Sequence, residues 1–269
     1  MILGAGCTPV PQKETTIKTQ KIEQSDLKTP RIELLKEKLF KPGNIHLAFK
    51  VLGENGQELK PDDLKIQHEQ KIHLILVRDD MTGFQHLHPE FRDGIWHVPT
   101  TFKDQGIYNM YVDIAPVQED PLVLHLPLKI NGDTKNPQIP EPSKDLTVQN
   151  GAYEAKLTID QPIQSKQEKT WTFILTKNGK SVVHVEPYLG AYGHVVELQH
   201  GNPKDFFHVH PITQEQPKDG KIQFLGSFPN KGRYTIYAQF NIENEIQTFP
   251  ITIDIQDEGQ TEDSMHGAH

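Results

Sequence analysis

Histidine is the residue through which this chain can do chemistry, and it comes in a repeated arrangement. His86-Leu87-His88-Pro89 and His208-Val209-His210-Pro211 are the same His-x-His-Pro box. Each closes a matching stretch, HLILVRDDMTGFQHLHP from His73 and HVVELQHGNPKDFFHVHP from His194. In a strand, side chains two apart share a face, so His86 points with His88 and His208 with His210. The polar segment RDDMTG reads as a hairpin turn. Counting back from it places His73 opposite His88, and the same count places His194 opposite His210. Opposed residues lie about 5 Å apart at Cβ, which lets three imidazoles converge on one ion at about 2.0–2.1 Å. The expectation is one metal cluster per copy, His73/His86/His88 and His194/His208/His210. Copper comes first and zinc second, because nitrogen ligands suit both and Cu(II) heads the divalent affinity series.

The competing reading is that these rings only pack, each neutral imidazole bonded to a carbonyl. His68, five residues before His73, and the pair His184 and Glu186 are further candidates to complete a shell or orient a ligand. His46, His97, His125 and His200 stand without a partner pattern. The Met265-His266…His269 tail offers at most a weak site for a soft ion. A blue-copper centre needs a cysteine ligand, and the only cysteine is Cys7. His86-Leu87-His88-Pro89-Glu90 invites comparison with cupin enzymes, but no Ser/His/Asp order, phosphate loop or carboxylate pair accompanies it. The expected role is therefore binding rather than catalysis. A metal-dependent hydrolase or oxygenase, and an adhesion or interaction module with structural histidines, are the alternatives.

What must position these residues is a duplicated β unit. Gly94, Phe102, Gly106, Tyr108 and Tyr111 recur with unchanged spacing as Gly220, Phe228, Gly232, Tyr234 and Tyr237. Asn55-Gly56 is answered by Asn178-Gly179, the strongest short hairpin signal. The repeat covers about 45–130 and 171–255. Runs such as IHLAFKVL, IYNMYVDI, TWTFILT and RYTIYAQF are rich in branched and aromatic residues. With turns every 8–12 residues they predict an all-β chain of two tandem Ig-like or cupredoxin-like sandwiches. RIELLKEKLF (31–40) alone looks helical. The expected division is 1–40 for a lipoprotein signal remnant and tether, 41–131 and 148–256 for the two sandwiches, 132–147 for a proline-rich linker, and 257–269 for a disordered His/Met tail.

Composition bounds the setting. A net charge of −8 without a basic run argues against nucleic acid. Twenty prolines and 19 glycines in 269 residues argue against long helices. The small residues before Cys7 resemble the end of a bacterial lipoprotein signal, with Cys7 the acylated residue and residues 8–30 the polar tether. That reading makes the chain extracytoplasmic, lipid-anchored to the cell envelope at the periplasm or outer surface.

HEQKIHLILVRDDMTGFQHLHPEF and EPYLGAYGHVVELQHGNPKDFFHVHP resemble segments of bacterial exported proteins, often lipoproteins, associated with heavy-metal and copper handling. The resemblance covers about two thirds of the chain, and the His-x-His-Pro boxes are its specific part. It implies Ig-like or cupredoxin-like domains and a metal-binding role: capturing, buffering or handing on metal, with a metal efflux or delivery protein as a partner.

Overall fold

The computed structural model describes residues 29–35, 40–132, 138–209, 211–217 and 219–257. Within them the chain is all-β. The first unit holds β1 (Arg31–Leu34), β2 (Gly43–Leu52), β3 (His73–Arg78), β4 (Gln85–Leu87), β5 (Glu90–Arg92), β6 (Ile95–Phe102), β7 (Gly106–Ile114) and β8 (Leu122–Ile130). The second holds β9 (Thr147–Asn150), β10 (Tyr153–Ile159), β11 (Lys169–Lys177), β12 (Lys180–Ser181), β13 (His194–Gln199), β14 (Phe206–Val209), β15 (Lys221–Gly226), β16 (Gly232–Ile242) and β17 (Glu245–Ile255).

Each unit is an Ig-like sandwich of two antiparallel sheets. In the first, sheet β1-β2-β6-β5 packs on sheet β4-β3-β7-β8. In the second, sheet β12-β11-β10-β9, joined by β15 on β11, packs on sheet β14-β13-β16-β17. Alternation sets the cores. Phe49, Trp96, Leu74, Leu76, Tyr108, Met110 and Val112 fill the first, and Trp171, Phe173, Phe224, Tyr234, Ile236 and Phe240 fill the second. The repeat extends to backbone strain. Gly94 and Gly220 have φ of +79° and +72°, and a Cβ on Gly220 would meet two carbonyl oxygens at 2.8 Å. Asn178 and Gly179 both take positive φ in the two-residue turn between β11 and β12, as the hairpin signal requires.

Two boundaries differ from the sequence reading. Residues 31–34 are not helical but form an edge strand, paired Arg31↔Leu52 to Leu34↔Phe49. Ile32 lies in the core and Phe40 bridges Ile130, so the first sandwich begins well before residue 41. The start of RIELLKEKLF, read as helical, serves a strand because a sheet edge is there to receive it, and residues 36–39 of that segment lie outside the described residues. The expected linker is also shorter. Residues 138–146 pack on the second unit, where Arg233 Nη1 donates to Pro140 O at 3.2 Å and Ser143 N to Thr252 O at 2.8 Å. Cys7, residues 8–28 of the tether and residues 258–269 of the His/Met tail lie outside the described residues.

The outer faces of the two inner sheets meet each other. On β3, Leu74 and Leu76 face the first core, while Ile75 and Val77 join Tyr111, Val196, Leu198, Phe206 and Tyr237 in a third buried cluster. The contacts cross in pairs. Phe84 of the first unit stacks on Tyr237 of the second at 4.0 Å, and the equivalent Phe206 stacks on Tyr111 at 4.8 Å. Tyr237 also donates its hydroxyl to Met81 O at 2.7 Å. Residue i meeting j while j's counterpart meets i's is the signature of a two-fold contact, closed here between two halves of one chain.

One position breaks the repeat inside a core. Glu197 on β13 pairs with Ile236 as Leu76 on β3 pairs with Met110, so the two positions correspond. Its carboxylate is fully buried, and neither oxygen has a hydrogen-bond partner. Burial, aided by the charge of Asp205, pushes its pKa up to about 9.

Candidate metal centre

The register carries the histidines to the interface between the units. On β3 the odd positions face the partner unit, so His73 points there with Ile75 and Val77. Ile75↔His86 is the pairing with β4, which puts His86 on the same face. The second unit repeats this, with Val196↔His208 between β13 and β14 and His194 on the face of Val196 and Leu198. Asp113 on β7 pairs with His73, and Gln239 on β16 pairs with His194.

The rings therefore meet in one composite cluster, not in two separate ones. His73, His86 and His208 each offer a nitrogen, and these three atoms lie within 4.8 Å of one another. His88 stands 5.1 and 4.9 Å from the His73 and His86 rings. His194 stands 5.6 Å from His208, and His68 stands 5.8 Å from His194. His210 lies outside the described residues. His184 is exposed and faces Glu186 at 3.8 Å; no ring contact joins it to the cluster among the described residues. The sequence grouped His184 and Glu186 with the site because they precede His194 closely. An intervening turn, Tyr188 to Ala191, leaves them to one side.

Hydrogen bonds at the rim fix four of the rings. His73 Nε2 donates to Gln67 O at 2.9 Å, and His194 Nε2 to Tyr188 O at 2.7 Å, in each case six residues upstream. His86 Nδ1 donates to Gln239 Oε1 at 2.8 Å, and His208 Nδ1 meets Asp113 Oδ2 at 3.2 Å. Each unit thus supplies the acceptor for the other unit's histidine. A neutral imidazole carries one N–H, so these bonds turn the remaining nitrogens inward. His73 Nδ1 and His86 Nε2 face each other at 3.0 Å. Two lone pairs at that distance repel unless a cation lies between them. Nitrogens bound tetrahedrally to one ion at about 2.0–2.1 Å sit roughly 3.3–3.4 Å apart, close to this spacing.

A proton is a poor candidate for that cation. Burial, then repulsion from His208 and His88, holds His86 well below the usual imidazole range. Burial and neighbouring imidazoles do the same to His208, and His88 and His194 are brought down to about 4. Burial lifts Asp113 to about 6, against the pull of His73 and His68. The chemistry of the donor set, all imidazole with one carboxylate behind it, fits a borderline transition ion.

Sequence reasoning missed Asp113, Gln239, Gln67 and Tyr188. The first two were reachable, since each stands two residues after a repeated tyrosine, Tyr111 or Tyr237, at equivalent positions. The two carbonyls carry no side-chain signal at all. Of the histidines set aside, His46 and His97 adjoin at 5.5 Å, with His46 bonded to Arg92. His125 bonds Asn109, which donates to Asp79.

A protein-family model described as "Domain of unknown function (DUF8832)" matches the chain twice, over residues 28–130 and 147–257. No curated protein matches the sequence. Among solved structures, trypsin-activated alpha-2-macroglobulin from Escherichia coli is similar at 9% identity and a TM-score of 0.26, covering 86% of this chain and 16% of that one. The Escherichia coli adhesin FdeC gives 12% and 0.26, with 85% and 64% covered. Invasin, a bacterial integrin-binding protein, gives 9% and 0.25, with 86% and 40% covered. The chain spans less than two thirds of each.

Proposed function

Since the chain belongs to the DUF8832 family and carries that family's unit in two copies, whose histidines pool at a single interface, we propose that it is a metal-binding protein whose centre is built jointly by the two copies. The observation that carries this is the facing pair of acceptor nitrogens, His73 Nδ1 and His86 Nε2 at 3.0 Å, with His208 of the other unit beside them. Copper is the first choice of ion and zinc the second. The buried, nitrogen-lined site suits capture and holding, so the protein buffers metal or hands it on to an efflux or delivery partner. The His-x-His-Pro boxes, similar to those of exported copper-handling proteins, support the same reading.

Calorimetric titration of untagged protein with zinc or Cu(II) at pH 7.5 tests it. His86→Ala and His208→Ala are each expected to weaken binding by at least 100-fold. Asp113→Asn, which keeps the ring contact but loses the charge, should cost about 10- to 100-fold. Wild-type protein that takes up no metal returns the histidines to packing.

The setting we propose is the cell envelope, with Cys7 as the lipid-bearing residue. When expressed behind a lipoprotein signal, the protein should fractionate with membranes, and Cys7→Ala should release it. Equal partition of both forms would remove the anchor.

A further inference from the structure

We infer that the centre has two ion positions, one per unit, and that together they take monovalent copper. The inference rests on the metal-binding reading above and adds its stoichiometry and charge.

The second position is the symmetry mate of the first. In one unit His73 Nδ1 faces His86 Nε2 at 3.0 Å, with His73 Nε2 held by the carbonyl of residue 67. In the other, His194 Nδ1 faces His208 Nε2 at 3.4 Å, with His194 Nε2 held by the carbonyl of residue 188. The same atoms face inward, the same atoms face outward, and both separations suit two edges of a tetrahedral or trigonal ion. Each pair has a third ring beside it, and both of these rings come from the first unit. His88 lies 5.1 and 4.9 Å from His73 and His86, and its buried Nε2 has no hydrogen-bond partner. His68 lies 5.8 and 6.4 Å from His194 and His208. Six imidazoles among the described residues exceed what one ion of this class coordinates, and they gather around two facing pairs, one in each unit.

Charge selects the oxidation state. The two sets interleave, with His73 and His208 rings 5.0 Å apart and His86 and His194 rings 6.0 Å apart. Two ions there would be close neighbours. At equal spacing, two dications repel four times as strongly as two monovalent ions. Asp113 is the carboxylate that touches a ring of the cluster among the described residues, too little charge to offset a pair of dications. Imidazole accepts Cu(I) as well as Zn(II) and Cu(II). One dication or two monovalent ions is therefore the capacity of the centre.

The test is stoichiometry on the full chain. Under anaerobic conditions with a reductant, competition against a chromogenic Cu(I) chelator should give two Cu(I) per chain, and zinc titration should give one. His194→Gln should reduce Cu(I) to one. X-ray absorption of the loaded wild type should show nitrogen-only ligation and a copper neighbour, a readout independent of any variant's folding. One Cu(I) with one zinc would overturn this inference and leave the metal reading standing. Two zinc ions would overturn the monovalent assignment. Neither metal binding would overturn both readings.

Discussion

Replacing Glu197 with leucine is expected to raise the melting temperature of the second sandwich by roughly 10 °C at pH 7. The carboxyl moves from an ordinary value of 4.5 in the unfolded chain to about 9 when folded. Between those values the folded state holds a proton that the unfolded state has released. The sign follows from linkage: stability is whole below about 4.5 and falls as pH rises toward 9. At pH 7 the loss is about 2.5 pKa units, or about 3 kcal/mol, which for a unit of this size corresponds to roughly 10 °C. Leucine removes the proton requirement, and Leu76 shows that it fits the same register in the first unit. Calorimetric melting at pH 5 and pH 8 checks this. The gap between variant and wild type must widen with pH; a constant gap, or a less stable leucine variant, would defeat the assignment.

The second large effect is thermal coupling of the two units through metal. Each sandwich has its own core, and the surface they share is a small apolar cluster with the histidines beside it. Zinc at a thousandfold excess over its Kd is expected to stabilise the native state by about 4 kcal/mol. Because the proposed ligands come from both units, the transition of each unit should move upward. His86→Ala, made in the first unit, should abolish the zinc shift of the second unit's transition as well. Differential scanning calorimetry with and without zinc reads this directly. A shift confined to one unit would contradict a shared centre.

Much of this is legible in the sequence. The spacing from Gly94 to Tyr111, kept from Gly220 to Tyr237, gave the duplication, and alternation within IYNMYVDI and RYTIYAQF gave strands. The face-sharing of His73 with His86 also followed from register. What escaped was the quaternary-like arrangement within one chain. HLILV and HVVEL are apolar at nearly every position, a pattern that marks strands buried on both faces. The pattern says nothing of what covers the second face. That is why two clusters were expected where the units pool one. The start of RIELLKEKLF escaped for a different reason: so short a segment does not distinguish a helix from an edge strand until the neighbouring strand is known.

The crossed pairing of Phe84 with Tyr237 and Phe206 with Tyr111 bears on assembly. A patch complementary to its own copy makes one partnership and stops, whereas a head-to-tail contact can propagate. Duplication within one chain has satisfied that patch internally. Such a face is self-limiting: the apolar surface on the inner sheets is already covered within the chain, and it holds the two histidine-bearing halves at fixed stoichiometry whatever the protein's concentration.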